Sequence, residues 1–343
     1  MTAASIFPTV GPSPKKGAGR HILVVLAGAV AILGLLLDAA APARATLPAN
    51  GGLIAFSDIN AGEIYTMPAE GGELTNITNN GAWDETPSFS PDGSKIAFAS
   101  DRGDKKHFSI YMARADGTRV KRLTRGKSHD FSPSWSPGGR RIAFFSNRHG
   151  RYGIYVMRLG ERPRRVTSLD MDAFDPRWSP SGRKFLFSSD SFGKGWDVYT
   201  IRVDGTRLRR LTRNDAHDYD ASWSPDGRLV AFATDRNSEG SGQCVWVPGG
   251  VVFPSDCHSD IYTIRPDGSE ETQITDGLWW DDYPVWSPDG TKIIFISDES
   301  YPSYSSDLFI MNPDGSDRQP LTDNTDIYEY YFPAWQPLLE KKR

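Results

Sequence analysis

The segment Ala221-Ser-Trp-Ser-Pro-Asp-Gly227 is one of six related copies in this chain. The others are Pro87-Ser-Phe-Ser-Pro-Asp-Gly93, Pro133-Ser-Trp-Ser-Pro-Gly-Gly139, Pro176-Arg-Trp-Ser-Pro-Ser-Gly182, Pro284-Val-Trp-Ser-Pro-Asp-Gly290 and the shortened Pro333-Ala-Trp-Gln-Pro337. The central prolines lie 43 to 49 residues apart, except for one step of 63. A period of roughly 40 to 50 residues built from short strands is typical of β-propeller blades.

Each copy begins a repeat of four short strands, A to D. Strand A carries the Pro-x-Trp, and Ser-Pro-Asp-Gly is a hairpin turn, because Pro presets φ and Gly accepts the left-handed conformation. Strand B is almost wholly apolar, as in Ile96-Ala-Phe-Ala-Ser100, which predicts burial on both faces between stacked sheets. Strand C contains a pair such as Ile110-Tyr111, an Asp-Gly turn follows, and a pair such as Leu123-Thr124 marks the short strand D.

The two ends of the repeat array complement each other. The array opens on a strand B, Leu53-Ile-Ala-Phe56, without a strand A, and it closes on a strand A at 332–336 without a strand B. Pairing the C-terminal strand with the N-terminal three strands would complete one blade and hide the sheet edges of an open array. We therefore predict an all-β fold, a closed six-bladed β-propeller over residues 53–338, followed by a tail of 339–343.

Residues 1–45 have the features of a secretory signal peptide. Three basic residues precede an uninterrupted run of sixteen apolar or Gly residues, 22–37, and Ala43-Arg44-Ala45 offers small residues where signal peptidase cleaves. The run is slightly shorter than the ~20 residues that span a bilayer, and the alternative is an uncleaved membrane anchor. Both interpretations place the propeller outside the cytoplasm, periplasmic or secreted, after a linker of 46–52.

The charge balance argues against a nucleic-acid partner. The net charge is −4, and without residues 1–45 the chain has 35 basic and 42 acidic residues, whereas a nucleic-acid-binding protein is expected to carry a basic stripe. The composition, with 24% charged and 38% hydrophobic residues, is that of an ordinary globular protein. We expect a monomer.

The repeated pattern P-x-W-S-P-D-G, I-A-F-x-S-D-R, I-Y-x-M, D-G and L-T resembles the propeller repeat of the TolB family, a WD40-like repeat of the PD40 type. The resemblance covers about residues 50–340. TolB is the periplasmic component of the Tol–Pal system, so the resemblance implies a binding scaffold at the cell envelope. The same repeat occurs in peptidase propellers and oligogalacturonate lyases, and it therefore predicts the fold more strongly than the function. TolB carries an α/β domain ahead of its propeller, whereas only the signal and linker are expected before Leu53 here.

Two kinds of connection alternate around the predicted ring. The A–B and C–D turns lie on one face and are short, whereas the B–C and D–A connections lie on the other face and vary, and long loops on a rigid scaffold usually carry function. The longest is an insert of residues 237–259 in blade 5, which holds the only two cysteines, Cys244 and Cys257. In an exported protein such a pair predicts a disulfide, with a metal or redox pair as the alternative. The insert is either a stapled surface loop or a cap over the ring.

Acidic residues recur beside aromatic or histidine residues just before each strand A. Because strand A is the innermost strand of a blade, we predict that they surround the channel entrance and bind a partner. Converging carboxylates repel one another unless neutralised, for example by Ca²⁺ or by an Arg- or Lys-bearing peptide. The alternative is that each Asp caps its own turn or pairs with an arginine that follows strand B, namely Arg102, Arg148 or Arg236. The predicted binding residues are Trp83, Asp84, His129, Asp130, Phe131, Asp172, His217, Asp218, Tyr219, Trp280, Asp281, Glu329 and Tyr330.

Sequence signatures of catalysis are scarce. No G-x-S-x-G, H-E-x-x-H, Walker or dinucleotide motif occurs, and among the histidines His129 and His217 alone occupy equivalent positions. Two such histidines with nearby Asp would suit a metal-assisted lyase, as the oligogalacturonate lyase resemblance implies, but that enzyme type is expected to gather several histidines around one metal. The strand-A tryptophans recur in phase with the turn, which favours an inter-blade core over a sugar-stacking surface.

We therefore predict an exported, non-enzymatic, TolB-like scaffold that binds a protein or peptide partner at the cell envelope. Apart from Ca²⁺ in the central channel, no cofactor is predicted. The alternatives are a propeller enzyme, a polysaccharide lyase or hydrolase acting at the channel mouth, and a purely structural envelope protein anchored by residues 22–37.

Overall fold

The computed structural model describes residues 52–190, 195–238, 245–247, 250–252, 258–299, 306–322 and 330–337. These residues form six four-stranded antiparallel sheets, and no helix occurs among them. Consecutive strands A contact one another from blade to blade and close into a ring. The predicted all-β, six-bladed propeller is confirmed.

Strands A, B, C and D pair in that order in every blade. Blade 2 comprises Asp84–Phe89, Lys95–Ser100, Ser109–Arg114 and Lys121–Arg122. Blade 3 comprises Asp130–Trp135, Arg141–His149, Arg151–Arg158 and Arg164–Arg165. Blade 4 comprises Phe174–Trp178, Lys184–Ser189, Asp197–Arg202 and Arg209–Arg210. Blade 5 comprises Asp218–Trp223, Val230–Thr234, Asp260–Ile264 and Thr272–Gln273. Blade 6 comprises Asp281–Trp286, Ile293–Ser297, Asp307–Met311 and Gln319–Pro320.

Blade 1 joins the two ends of the propeller. Its strand A is Tyr330–Trp335, and its strands B, C and D are Leu53–Asp58, Glu63–Pro68 and Thr75–Asn76. Antiparallel pairing sets Ile54 opposite Trp335 and Asp58 opposite Tyr330. The predicted closure of the ring is confirmed, and its strand A begins two residues earlier than predicted.

A phenylalanine lies at the centre of every strand B and is at most 1% exposed. Each of these rings is paired in register with an aromatic residue of strand C, at centroid distances of 5.6 to 6.4 Å. Such cross-strand aromatic pairs stabilise a sheet beyond the area that they bury. The six phenylalanines are Phe56, Phe98, Phe144, Phe187, Phe232 and Phe295.

The strand-A tryptophans pack between blades, as predicted. Trp135, Trp178, Trp286 and Trp335 are all buried. The Trp135 indole N–H donates to the Ser88 carbonyl of blade 2 at 3.2 Å, and that of Trp178 donates to the Ser134 carbonyl of blade 3 at 3.1 Å. Each ring therefore links its blade to the preceding one.

The strands D lie just before the predicted Leu-Thr pairs. In blade 2 the strand ends at Arg122, and the Thr124 hydroxyl accepts a hydrogen bond from the Ile110 amide at 2.8 Å. The corresponding threonines of the other blades make the same contact, among them Thr167 with Ile154 and Thr212 with Val198. The threonine side chain therefore continues the ladder where backbone pairing ends.

The insert holds a short hairpin that the sequence analysis did not predict, Val245–Val247 paired with Gly250–Val252. Cys244 and Cys257 lie outside the described residues, as do residues 1–51, so the disulfide, the signal peptide and the anchor stay predictions. Within the described part of the chain, no helix is long and apolar enough to cross a membrane.

Candidate functional site

The connections divide the propeller into two faces. We call the face with the B–C and D–A connections the loop face. It contains, in each blade, the residues just before and at the start of strand A, such as Trp83 in blade 2 and Tyr330 in blade 1. We call the opposite face the turn face, and it contains the A–B and C–D turns, such as residues 136–141 and 158–165. The predicted binding residues that the structure describes belong to the loop face.

Three of the predicted carboxylates form ion pairs inside their own blades. Arg102 contacts Asp84 at 2.8 Å in blade 2, and Arg148 contacts Asp130 at 2.7 Å in blade 3. Arg236 contacts Asp218 at 3.0 Å in blade 5. The three aspartates are at most 1% exposed, so their carboxylates belong to the blade interior. This is the Asp–Arg pairing that the sequence analysis gave as the alternative to partner binding, and binding by these residues stays a prediction.

Each of these arginines also lies over the aromatic pair of its blade. The Arg102 guanidinium carbon is 5.0 Å from the Phe98 ring centroid and 5.2 Å from that of Tyr111. A guanidinium at this distance is attracted by the ring quadrupole. Aspartate, arginine and aromatic pair thus form one buried unit at the loop-face end of the sheet.

Blade 6 builds the same unit from a different position in the sequence. Glu299 stands where blades 2, 3 and 5 have the arginine, and Arg318, next to strand D, contacts Asp281 through both terminal nitrogens at 2.7 and 2.9 Å. Its guanidinium carbon lies 5.0 Å from the Phe295 ring centroid. Asp281, which is 1% exposed, is therefore neutralised by an arginine that sequence reasoning did not identify.

The remaining predicted residues differ from this pattern. Asp172 accepts hydrogen bonds from the Tyr152 amide and from Arg151 Nη1, both at 2.9 Å. Tyr330 is buried, and its ring packs edge-on against Phe56 at 4.7 Å. Glu329 lies outside the described residues.

A second set of acidic or amide side chains fixes the loops themselves. A residue at the end of strand B, or directly after it, accepts a hydrogen bond from the amide of the residue before strand A. The pairs are Asp101 with Trp83, Asn147 with His129, Asp235 with His217 and Asp298 with Trp280, at 2.7 to 2.9 Å. These contacts join each B–C connection to the D–A connection beside it. The predicted aromatic and histidine residues are thus held on rigidly connected loops.

A bulge in every strand A alters which side chains face the channel, where a second group of carboxylates lies that the sequence analysis missed. Every strand A has a residue with φ between 47° and 55° that begins a bulge opposite the central phenylalanine of strand B. A bulge re-aims the side chains around it. The six residues are Thr86, Ser132, Asp175, Asp220, Tyr283 and Phe332.

Carboxylates from four blades interact around the axis. Asp175 of blade 4 raises the pKa of Glu85 in blade 2, and Asp175 and Asp282 raise that of Asp220 in blade 5. The Ser132 hydroxyl donates to Asp175 at 2.5 Å, and the Ser259 hydroxyl donates to Asp282 at 2.8 Å. Groups on four separate blades meet only at the centre of the ring, so these side chains line the channel.

Two of these carboxyl groups, Glu85 and Asp282, are partly protonated near neutral pH. Desolvation raises the pKa of Glu85 to about 8 and that of Asp282 to about 7. It also raises the pKa values of Asp175 and Asp220, and the positive charge of Arg177 partly opposes this rise. A cationic group brought into the channel would favour the ionised carboxylates and would be attracted by them.

Comparisons with known proteins agree with this architecture. The family profile described as TolB beta propeller domain (PD40) matches residues 103–252. The propeller of this chain contains TolB-type repeats. The prediction from the repeat is thereby confirmed, and no curated protein sequence matches the chain.

Solved structures resemble this TolB-like propeller at low identity. TolB from Acinetobacter baumannii is 22% identical, with a TM-score of 0.66 over 83% of this chain and 67% of that one. A protein described as a TolB from Agrobacterium tumefaciens is 22% identical, with a TM-score of 0.61 over 79% and 88%. Kuenenia stuttgartiensis hydrazine synthase is 16% identical, with a TM-score of 0.65 over 85% and 47%. At these identities the likeness shows the fold alone.

The loop face of this TolB-like propeller presents large apolar side chains to solvent. Leu278 is 78% exposed and Leu169 is 63% exposed, and both stand in D–A connections. Trp83 and Trp280, which directly precede the strands A of blades 2 and 6, are half-buried. Exposed apolar side chains are common at interaction surfaces, and the turn face has two others, Val120 and Leu208.

The two predicted histidines have different surroundings. His129 lies 5.5 Å from His107 and stacks on Phe131 at 5.9 Å, and burial together with His107 lowers its pKa. The Nδ1 atom of His217 lies 3.3 Å from the Trp196 amide. Within the described residues no group of three or more His, Cys, Asp or Glu side chains is arranged to hold a metal ion.

Proposed function

We propose that this TolB-like propeller is an exported, non-enzymatic scaffold that binds a protein or peptide partner at the cell envelope through its loop face. The observation that carries the proposal is the exposure of Leu169 and Leu278 on loops that ring an acidic channel. Apolar side chains at the centre of an interface supply much of its binding energy. The TolB-type repeat and the secretory features of residues 1–45 support the same role and location.

The channel indicates the chemistry of the partner. Four carboxyl groups, Glu85, Asp175, Asp220 and Asp282, line it, and Arg177 lies near enough to lower the pKa of Asp175 and Asp220. A lysine or arginine of the partner entering from the loop face would relieve their mutual repulsion. The proposed ligand is therefore a peptide segment that combines apolar residues with at least one basic residue.

The test is affinity capture from envelope extract with the propeller, residues 46–343, followed by rebinding of the purified partner. We expect the variant Leu169→Ser/Leu278→Ser to bind the partner at least tenfold more weakly, because each substitution removes about 1–2 kcal/mol of binding energy from apolar burial. The matched control is Val120→Ser/Leu208→Ser, which changes two exposed apolar residues of the turn face. Equal affinity of the loop-face variant and the control would exclude the loop face as the binding surface.

The enzymatic alternative has its own test. His129→Ala/His217→Ala would abolish a metal-dependent lyase activity at the channel mouth, whereas a scaffold would retain partner binding and its melting temperature. Polysaccharide cleavage by the wild type that this variant loses would replace the scaffold proposal.

A further inference from the structure

The turn face carries a strongly uneven charge. Four turns of blades 3 and 4 contain twelve basic and two acidic residues, whereas the four equivalent turns of blades 5 and 6 contain four basic and seven acidic residues. Of these basic residues, Arg210 and Arg318 reach back to the loop-face end, where they contact Asp197 and Asp281. One half of the face is therefore strongly positive, although the propeller as a whole is negative. The turns of blades 3 and 4 are 136–141, 158–165, 179–184 and 202–210, and those of blades 5 and 6 are 224–229, 265–273, 287–292 and 312–320.

The two acidic residues in the positive half do little to neutralise it. Asp204 accepts hydrogen bonds from the amide and hydroxyl of Thr206 in its own turn, at 2.9 and 2.7 Å. Glu161 lies 3.8 Å from Arg158, and both side chains are exposed. Nine exposed arginines remain in these four turns, which is enough to give the surface a positive potential.

Neighbouring turns touch, so the positive charge forms one surface. A side-chain carbon added at Gly182 in blade 4 would meet Pro137 of blade 3 at 3.6 Å. Farther from the axis, Arg164 of blade 3 donates to the Val203 carbonyl of blade 4 at 2.7 Å. We call these four turns, together with the C–D turn of blade 2 at residues 114–121, the basic surface.

Two apolar side chains project from the basic surface. Val120 in blade 2 is 43% exposed, and Leu208 at the equivalent position in blade 4 is 49% exposed. Basic residues flank both: Arg119 and Lys121 flank Val120, while Arg207 and Arg209 flank Leu208. An apolar tip between two cations suits a bilayer interface, where the cations contact lipid phosphates and the apolar group enters the acyl boundary. A nucleic acid would leave such tips without a partner.

The chain enters the propeller on the same face. Leu53 begins strand B at the turn-face end, where its amide donates to Gln336 Oε1 at 3.0 Å. The apolar run of residues 22–37 ends fifteen residues before Leu53. Fifteen extended residues span at most about 50 Å. With that run in a membrane, the turn face is the face of the propeller that the tether holds toward the bilayer.

We propose that the basic surface docks on a bilayer containing anionic phospholipids and leaves the loop face free for its partner. The occupant is the lipid surface itself, bound through arginine–phosphate contacts and shallow insertion of Val120 and Leu208. This proposal does not depend on the identity of the loop-face partner, and either proposal can fail without the other.

The test is co-sedimentation of residues 46–343 with vesicles of phosphatidylcholine and phosphatidylglycerol in equal parts. This segment keeps every described strand but lacks the apolar run. We expect binding to these vesicles and not to pure phosphatidylcholine, and weaker binding in high salt. Arg119→Glu/Arg207→Glu should weaken binding on the order of thirtyfold, since each basic residue near the surface contributes about fivefold. The fold should tolerate this change, because blade 5 has Glu270 at the equivalent position with a similar φ of 53°.

The matched control is Arg228→Glu/Arg265→Glu, which changes the net charge equally on the acidic half of the turn face. Val120→Ser/Leu208→Ser should weaken vesicle binding while the melting temperature stays unchanged. Three results would each overturn the proposal. They are equal binding to pure phosphatidylcholine, equal losses in the control and the basic-surface variant, and binding to RNA without binding to the anionic vesicles.

Discussion

Substitution of Asp218 by alanine tests how the loop-face end of a blade is held. Asp218 is 0% exposed and contacts Arg236 at 3.0 Å, and its second oxygen accepts from Asn214 Nδ2 at 2.7 Å. Removing one partner of a buried ion pair costs about 3–5 kcal/mol, because the other charge stays buried. In Asp218→Ala the arginine keeps Glu271 at 2.8 Å and is itself 18% exposed. We therefore expect a loss at the lower end, about 3 kcal/mol.

Replacing the arginine of this ion pair should lower the free energy of unfolding further than replacing the aspartate. Arg236→Ala leaves the Asp218 carboxylate fully buried, with the Asn214 side chain still donating to it, and also removes the guanidinium that lies 4.4 Å from the Tyr262 ring centroid. We expect about 5 kcal/mol for this variant. The double variant leaves neither charge in the interior, so its loss should fall clearly below the sum of the two.

Urea unfolding followed by circular dichroism measures all three free energies, and melting temperatures should fall by about 2–4 °C for each kcal/mol. The control is Asp276→Ala, an exposed aspartate of the same face, for which we expect a change within about 0.5 kcal/mol. Asp218→Ala with wild-type stability, or losses that simply add in the double variant, would refute the claim that this ion pair stabilises the blade.

Three further predictions concern other parts of the ring. Arg318→Ala should lower the free energy of unfolding by at least about 3 kcal/mol, because it leaves Asp281 unneutralised. Adding Glu299→Arg, which restores the arginine position of blades 2, 3 and 5, should recover much of this loss. No recovery in urea unfolding would contradict the equivalence of the two arginine positions. Glu85 has a pKa of about 8 in the folded state against an ordinary value of 4.5, so between these pH values the folded state holds a proton that the unfolded state loses. Stability should therefore fall as the pH rises from 4.5 to 8. Glu85→Gln should flatten this dependence, measured as the urea midpoint at several pH values. Deleting residues 330–343 removes strand A of blade 1 and exposes the edge of strand B, so size-exclusion chromatography should show loss of the folded monomer, and a monomer with unchanged melting temperature would contradict the closure.

The fold could be predicted from the sequence because its information is local. Each Ser-Pro-Asp-Gly turn specifies a two-strand hairpin, and the apolar strand B and the Ile-Tyr strand C follow at nearly constant spacing. The missing strand A at one end and the missing strand B at the other then require closure. The inter-blade position of Trp135 and its equivalents followed from their phase with the turn.

The candidate site was less predictable, since its groups meet through contacts between distant parts of the chain. The position of strand A as the innermost strand of a blade suggested that Asp84, Asp130 and Asp218 surround the channel entrance. The bulge in each strand A changes which residues point inward, because a shift of one residue in a strand reverses side-chain direction. Asp175 and Asp220 at the bulge and Glu85 and Asp282 just before it line the channel, whereas the predicted aspartates pair with arginines.

The sequence by itself determined the number of blades, the hairpins and the closing strand, because these depend on residues that are near neighbours in the chain or on the matching of its two ends. The tertiary structure decided which carboxylates meet at the axis, that Arg318 replaces the arginine missing at Glu299, and that a negatively charged propeller has a positive half-face. Each of these depends on placing separate blades side by side in a ring, and electrostatic and hydrogen-bonding contacts between blades follow distance in space and not position in the sequence.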